Sequence, residues 1–137
     1  MTHSLRKILH VDDDAVMRLM TKKALERAHL DFNIISCATG HELLECIDTF
    51  QPDILLVDYI MPIMDGEELM MCVRNSHSST KDCPVVFISG IENISFRNHD
   101  ALEPILGIIK KPFAPTTLGH DLLGVWEKFK LNQGFFT

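Results

Sequence analysis

Short apolar runs alternate with segments of helical periodicity along the chain, and this alternation restricts the possible folds more than any other feature of the sequence. The apolar runs occupy residues 7–11, 32–37, 53–57, 84–88 and 105–109. After each run, apolar residues recur every three or four positions, which is the spacing of an amphipathic helix. Strands that alternate with helices predict an α/β fold, in which a parallel sheet has helices on both faces and right-handed crossovers.

The sequence also predicts where the helices lie. The predicted helices are residues 15–29, a segment capped by Thr39, a segment after Asp65-Gly66, residues 93–103 and a segment after Pro112. Residues 131–137 are expected to form a short tail. The 137 residues are therefore expected to form a single domain with its core at about residues 5–130.

Charge and hydropathy exclude several classes of protein. The net charge is −6, whereas domains that bind nucleic acid through bulk charge need a basic face. No apolar run approaches the roughly 20 residues of a membrane helix, and the first residues lead directly into a strand rather than a secretory signal. We therefore expect a cytoplasmic protein that binds neither nucleic acid nor membrane through this domain. The four cysteines form no CxxC motif and are expected to be reduced thiols.

Acidic, hydroxyl and lysine side chains follow the predicted strands at the points where the strands end. They are Asp12, Asp13 and Asp14 after the first strand, Asp58 after the third, Ser89 after the fourth, and Lys110 and Lys111 after the fifth. Sites in parallel α/β sheets lie beyond the carboxyl ends of the strands, so we expect these side chains to converge. Oxygen-rich acidic clusters suit Mg²⁺, and a lysine with a hydroxyl suits a phosphoryl group. One carboxylate is then a candidate nucleophile for aspartyl-phosphate chemistry.

Each of these residues, taken singly, also has a simpler structural interpretation. Asp14 is better explained as a helix N-cap, and Ser89 alone would be a turn residue. Lys110 and Lys111 would be a solvated pair. His10, inside the first strand, is expected to be a core or edge histidine with satisfied hydrogen bonds rather than part of a proton relay. The order of acid, acid, hydroxyl and lysine, each at a strand end, favours the functional interpretation.

Four segments of the sequence resemble the receiver domain of two-component response regulators, the CheY-like family. The segments are Ile8-Leu-His-Val-Asp-Asp13, Ile54-Leu-Leu-Val-Asp-Tyr-Ile-Met-Pro-Ile-Met-Asp-Gly66, Val85-Val-Phe-Ile-Ser-Gly90 and Lys111-Pro-Phe113. The combination is far more specific than any one segment, and the resemblance extends from about Leu5 to Lys130. It implies a flavodoxin-like sheet of five parallel strands in the order 2-1-3-4-5.

The resemblance implies a phosphoacceptor and a metal site. Asp58 matches the family's phosphoacceptor. Asp12 and Asp13 match the acidic pair that holds Mg²⁺ or Mn²⁺, with Asp13 as the expected direct ligand. The carboxylate of Asp58 and the backbone carbonyl of Ile60 would be further ligands.

The resemblance also implies how the phosphoryl group is stabilised and where it comes from. Ser89 matches the residue whose hydroxyl binds a phosphoryl oxygen, and Lys111 matches the lysine that pairs with the phosphoryl group. The Lys111–Pro112 bond is the expected cis peptide. The donor would be a phosphohistidine on a sensor histidine kinase or a histidine phosphotransfer protein. Such a receiver assists its own phosphorylation and dephosphorylation, and it is not expected to be an enzyme for an external metabolite.

The sequence departs from the family at the positions that set output and lifetime. The output face comprises helix 4, strand 5 and helix 5, where an unidentified partner would bind and a homodimer could form. Many members carry an aromatic residue three positions before the lysine, but here that residue is Ile108, which has no polar tip. Ile60 and Ile91 stand two positions beyond the phosphoacceptor and the hydroxyl residue. Neither can orient a water molecule by a hydrogen bond, so we expect slow self-dephosphorylation.

Other interpretations compete with a phosphorylated switch. A receiver-like interaction module that works without phosphorylation would explain Ile108, although the intact set of acids, hydroxyl and lysine counts against it. A phosphatase or phosphotransferase with an aspartyl nucleophile would need a second acid where Ile60 stands, and further residues for a cap domain. A flavin binder of the same topology would need a phosphate-binding loop where three aspartates would repel a phosphate.

Overall fold

Alternating strands and helices build the domain, as the sequence pattern predicts. The computed structural model describes residues 4–135. The strands are β1 (Lys7–Val11), β2 (Asn33–Cys37), β3 (Ile54–Asp58), β4 (Val85–Ser89) and β5 (Ile105–Lys110). The helices are α1 (Ala15–Glu26), α2 (Gly40–Phe50), α3 (Gly66–Arg74), α4 (His99–Leu102) and α5 (Leu118–Phe135). Each strand lies within one residue of its predicted run.

The strands form one parallel sheet in the order β2-β1-β3-β4-β5, which confirms the predicted fold. Because β1 lies between β2 and β3, the direction of strand succession reverses at β1, the topological switch point of the fold. The registers pair Val11 with Val57 and Ser89 with Lys110. The carboxyl ends of four strands therefore meet at one edge of the sheet, where the predicted site residues follow.

Two apolar cores lie on opposite faces of the sheet, since successive side chains of a strand point in opposite directions. On β3, Leu55 and Val57 belong to the core shared with α2 and α3, whereas Ile54 and Leu56 belong to the core shared with α1 and α5. Every residue of β3 and β4 is buried. Burial of each apolar side chain among them contributes roughly 1.5–3 kcal/mol, so the central strands give the site a stable base.

Side-chain caps fix the starts of three helices. Asp14 Oδ1 accepts the backbone N–H groups of residues 16 and 17, which confirms that Asp14 caps α1. Thr39 accepts the Glu42 N–H at the start of α2. Asp65 and Glu68 form a reciprocal capping box at the start of α3. These caps hold each helix start close to the strand end that precedes it.

Two helices end at positions other than those predicted. α1 stops at Glu26 rather than at residue 29, because His29 and Asp31 adopt left-handed conformations with φ of 55° and 58°. α5 continues through residues 131–135, which were expected to be a tail. No proline or capping residue interrupts its hydrogen bonds before Gly134, so the helix propagates. Residues 136–137 of the predicted tail lie outside the described residues.

The predicted helix over residues 93–103 is wrong for most of its length, because α4 has only four residues. We call residues 90–98 the β4–α4 segment. In this segment Phe96 packs against Tyr59 and Phe87, with ring centroids 5.8 and 5.2 Å apart. The Arg97 N–H donates to the Glu67 carboxylate at 2.9 Å. These tertiary contacts replace the intrahelical hydrogen bonds that a longer α4 would make.

Arg74, at the end of α3, holds two connections of the chain in place. Its guanidinium donates to the carbonyl oxygens of Lys81 and Cys83, at 2.9 and 2.7 Å, in the connection before β4. It also donates to the carbonyl oxygens of Leu102 and Pro104, at 2.9 and 3.3 Å, in the connection before β5. A single half-buried side chain therefore donates to four carbonyl groups, of which that of Pro104 also accepts the Val85 N–H at 3.0 Å.

Within residues 4–135, no helix is long and apolar enough to cross a membrane.

Candidate functional site

Three carboxylates converge at the carboxyl ends of β1 and β3. Asp12 and Asp13 follow β1 directly, and Asp58 is the last residue of the adjacent β3. One carboxylate oxygen from each lies within 4.8 Å of the other two. Asp12 and Asp58 are only 1% and 5% exposed, whereas Asp13 is exposed to solvent. The convergence expected from the strand ends is therefore present in the structure.

The environment of Asp58 disfavours its ionised form. Burial is the main reason that its pKa is raised to about 6, and the negative charges of Asp12 and Asp13 add to the increase. The positive charge of Lys111 opposes them. A second, mobile positive charge would relieve the repulsion among these carboxylates, since one lysine cannot neutralise three acids.

Lys111 is the cation of the site, and Lys110 is not. Lys111 Nζ lies 3.2 Å from Asp58 Oδ1 and 3.5 Å from Asp12 Oδ2. Burial alone would lower the pKa of Lys111, but the two carboxylates outweigh burial and the pKa is raised. Lys110, one residue earlier, projects elsewhere and pairs with Glu92 at 2.6 Å. The Lys111–Pro112 peptide bond is cis.

Exposure to solvent separates Ser89 from the three isoleucines at which the sequence departs from the family. Ser89 is 1% exposed at the end of β4, and its hydroxyl accepts the Ile91 N–H at 3.0 Å. Ile60 and Ile91 are 57% and 43% exposed in the loops after β3 and β4. Ile108 lies on β5 opposite Phe87 and is 45% exposed. Its side chain thus faces solvent at the sheet's edge strand rather than the acids.

The prediction for His10 is correct in burial and wrong in hydrogen bonding. His10 is fully buried on β1, and its Nδ1 lies 3.1 Å from the Ser36 hydroxyl. Its Nε2 has no hydrogen-bond partner among the described residues. Burial lowers the pKa of His10 to about 3, and the charges of Lys111 and Arg18 contribute. The ring is therefore neutral. A position inside a strand predicts that a histidine is buried, but it does not predict that both ring nitrogens have hydrogen-bond partners.

The structure also shows a polar group beside the acids that the sequence analysis did not identify. The Tyr59 hydroxyl donates to Glu67 Oε2 at 2.5 Å, and Glu67 is 3% exposed. Burial and this hydrogen bond raise the pKa of Tyr59 to about 12, so the hydroxyl remains a donor at neutral pH. Tyr59 directly follows Asp58. A polar aromatic residue at that position was the one feature of the sequence that could have indicated this hydrogen bond.

The donor set fits a hard divalent cation. Three carboxylates supply oxygen ligands only, the ligand type that Mg²⁺ prefers, and no cysteine or histidine belongs to the cluster of acids found among residues 4–135. The exposed Asp13 leaves one side open to solvent, which suits an ion that retains water ligands. The arrangement can therefore hold a cation next to a buried carboxylate and a lysine.

Comparison with known proteins identifies relatives of this chain. The family model of the response regulator receiver domain matches residues 8–122. A protein-glutamate methylesterase/protein-glutamine glutaminase of Rhodospirillum rubrum is 37% identical over 87 residues, 64% of this chain and 22% of that protein. The sensor kinase CckA of Brucella abortus is 28% identical over 123 residues, 88% of this chain and 12% of that protein. The chain thus spans less than a quarter of either relative.

Solved structures match over nearly their whole length. A chemotaxis response regulator of Vibrio cholerae is 28% identical, with a TM-score of 0.75, and the match covers 89% of this chain and 99% of that one. A CheY-like response regulator receiver domain protein of Methanospirillum hungatei is 27% identical, with a TM-score of 0.73, and the match covers 92% of this chain and 99% of that one. Family match, strand order and converging acids agree, and the chain belongs to the response regulator receiver domains of two-component systems.

Proposed function

We propose that Asp58 accepts a phosphoryl group from a phosphohistidine, in a reaction that depends on Mg²⁺ or Mn²⁺, and that the phosphorylated domain binds an output partner differently. The observation that carries the proposal is the buried Asp58 carboxylate, with Lys111 Nζ at 3.2 Å and two further carboxylates beside it. The donor would be a sensor histidine kinase or a histidine phosphotransfer protein.

Asp12, Asp13 and Asp58 would hold the cation, together with the backbone carbonyl of Ile60. Asp13 is the most accessible of the three acids and is the expected direct ligand. Asp12 is already engaged, since its Oδ1 accepts the Asp14 N–H at 2.9 Å and its Oδ2 faces Lys111. A bound divalent cation would neutralise charge on the acids and on the incoming phosphoryl oxygens.

The phosphoryl group would pass from the imidazole nitrogen of the donor to a carboxylate oxygen of Asp58. The P–N bond breaks as the O–P bond forms, and the imidazole keeps the electron pair and takes up a proton. Asp58 must be ionised to react, so the carboxylate form has to be favoured over the protonated form. Lys111, held within reach of both Asp58 and Asp12, would stabilise the charge on the phosphoryl oxygens.

Ser89 would then donate its hydroxyl proton to a phosphoryl oxygen. Its hydroxyl accepts the Ile91 N–H, so a displacement of Ser89 toward the phosphoryl group would move the start of the β4–α4 segment. This shift would change the population of two conformations of the face formed by α4, β5 and α5. An output partner, or a second copy of the chain, would bind that face.

An interaction module that works without phosphorylation is the second candidate. The observation that favours it is Ile108, an exposed aliphatic side chain where many family members have an aromatic residue. Such a module would keep the fold and the acids but bind its partner equally well with or without a phosphoryl group.

Intact mass after incubation with acetyl phosphate and Mg²⁺ tests the proposal. We expect one added phosphoryl group, absent in Asp58→Asn and absent when EDTA replaces Mg²⁺. Lys111→Met should reduce the extent of phosphorylation without removing the nucleophile. No added mass under any condition would contradict the proposal and favour the phosphorylation-independent module. Added mass in Asp58→Asn would place the phosphoacceptor elsewhere.

A further inference from the structure

We propose that Tyr59, Glu67 and Arg97 form a latch that positions the β4–α4 segment against the phosphoacceptor, and that this latch transmits phosphorylation of Asp58 in place of an aromatic residue on β5. Transmission rests on the proposed function of Asp58. The positioning role does not rest on it, because the contacts that position the segment are present in the unphosphorylated structure.

Glu67 is the centre of the latch. Its buried carboxylate accepts the Tyr59 hydroxyl on Oε2 at 2.5 Å and the Arg97 N–H on Oε1 at 2.9 Å. A buried carboxylate without such partners is costly, so both hydrogen bonds are strongly favoured. One carboxylate thus joins the residue after the phosphoacceptor to the far end of the β4–α4 segment.

Arg97 strengthens the same junction through its side chain. Its Nη2 lies 3.0 and 3.3 Å from the two carboxylate oxygens of Asp65, and its Nε lies 3.6 Å from Glu67 Oε2. Asp65 also caps α3 through the Glu68 N–H. The segment is therefore bound to the first turn of α3 by backbone and side chain together.

The first turn of α3 packs closely against the backbone of the phosphoacceptor and the residue after it. A Cβ atom added at Gly66 would lie 2.9 Å from the Asp58 carbonyl oxygen and 3.0 Å from Tyr59 Cα. The Gly66 N–H donates to the Tyr59 carbonyl at 2.9 Å. This close backbone contact couples α3 to the end of β3, so in this proposal the β4–α4 segment is the part that shifts on phosphorylation.

The segment is attached at both ends to groups next to Asp58. At its start, the Ile91 N–H donates to the Ser89 hydroxyl. Near its end, Arg97 is held by Glu67, and the Phe96 ring packs against both Tyr59 and Phe87. A displacement of Ser89 pulls the segment against this second attachment. Ile108 makes no polar contact that could do the same, because its side chain has neither donor nor acceptor.

The composition of the chain makes the latch measurable. Tyr59 is the only tyrosine in the sequence. Ring-labelled tyrosine therefore gives one NMR signal, and that signal reports on the residue bonded to Asp58. The Arg97 amide signal reports on the other end of the latch.

The positioning role is tested without phosphorylation. Tyr59→Phe removes only the hydroxyl, and we expect hydrogen exchange at the Arg97 amide to become about fivefold faster, the factor expected for a weakened hydrogen bond. Ile108→Ala should leave that exchange rate unchanged. Equal exchange in wild type and Tyr59→Phe would overturn the positioning role.

Transmission is tested with acetyl phosphate and Mg²⁺, with intact mass as the measure of phosphorylation. In the wild type we expect the Tyr59 ring signal and the Arg97 amide signal to shift in proportion to the phosphorylated fraction. Tyr59→Phe should be phosphorylated to the same extent, but its amide shifts over residues 91–102 should be smaller by about half or more, whereas Ile108→Ala should keep them.

The outcomes separate this proposal from the proposed function. Added mass with full-sized amide shifts in Tyr59→Phe, or with shifts lost only in Ile108→Ala, would overturn the latch and leave phosphorylation of Asp58 intact. No added mass in the wild type would overturn the proposed function and the transmission role together, while the exchange experiment would still decide the positioning role.

Discussion

The carboxylate of Asp58 is less stable as an ion in the folded protein than in the unfolded chain. Its pKa of about 6 lies above its ordinary value of 3.8 because of burial and the neighbouring acids. Between these two values the folded protein binds more protons than the unfolded chain, so stability falls as the pH rises from about 4 to about 6. Above about pH 6 the full cost of the buried charge is present.

Asp58→Asn is therefore expected to stabilise the fold at about pH 8 in EDTA, by about 1 kcal/mol once partial solvent screening is allowed for. The gain should shrink as the pH falls through 6, because Asp58 in the wild type becomes protonated. Thermal unfolding of both proteins from about pH 4.5 to pH 8 measures the difference. Asp100→Asn, at an exposed side chain, is the control. A pH-independent difference, or a loss of stability at pH 8, would contradict this account.

Ile60 has an apolar, 57% exposed side chain two positions beyond the phosphoacceptor. Ile60→Asn would place a hydrogen-bonding group there that can orient an attacking water molecule. We expect the phosphorylated lifetime to shorten by about tenfold, the effect of one well-placed hydrogen bond. The measurement is the decay of the added mass after the phosphodonor is removed. Ile63→Asn, at a 93% exposed position of the same loop, should leave the lifetime unchanged. An unchanged or longer lifetime in Ile60→Asn would refute the idea.

At the scale of elements, α5 packs closely against the connection between α1 and β2, because Gly119 has no side chain at the contact. A Cβ added at Gly119 would lie 2.4 Å from the Ala28 Cβ, whereas one added at Gly124 would meet nothing within 4 Å. Gly119 and Gly124 therefore offer the same substitution in opposite environments.

Gly119→Ala should lower the free energy of unfolding by about 1–3 kcal/mol, because α5 would have to shift away from Ala28 in the connection between α1 and β2. Gly124→Ala should raise it by up to about 1 kcal/mol, since alanine favours helix and nothing obstructs it. Urea unfolding of the two variants and the wild type gives both values. Stabilisation by both variants would show that helix propensity outweighs the Gly119–Ala28 contact, and destabilisation by both would contradict the open environment of Gly124.

At the scale of the whole molecule, Arg74 ties α3 to the two connections on either side of β4 and α4. Arg74→Met would remove the side-chain donor of the Lys81, Cys83 and Leu102 carbonyl groups, while the Pro104 carbonyl would keep the Val85 N–H. We expect a loss of about 3 kcal/mol in the free energy of unfolding. Arg74→Lys should recover only part of this loss, because an ammonium group cannot match the planar fork of a guanidinium. Urea unfolding measures both. Full recovery with lysine would mean that charge, rather than the forked geometry, is what matters.

The strands, most helices and the acids of the site could be predicted because each follows from neighbouring positions in the chain. Periodicity is a local property, and a residue just after a parallel strand is carried to the sheet edge by the strand itself. The α4 prediction failed because Phe96 and Arg97 make contacts that override local preference. The latch could not be predicted for the same reason, since Glu67 and Arg97 are 30 residues apart.

The sequence by itself determined the α/β class, the sheet's alternation with helices and the set of acids, hydroxyl and lysine at the strand ends. The resemblance pointed to Lys111, but only the tertiary structure shows what distinguishes the two adjacent lysines, since Lys111 faces Asp58 and Lys110 pairs with Glu92. It also decided where α4 begins and what Tyr59 binds. The physical reason is that backbone periodicity is set by adjacent residues, whereas the partner of a charge or hydroxyl is set by which distant elements pack against it.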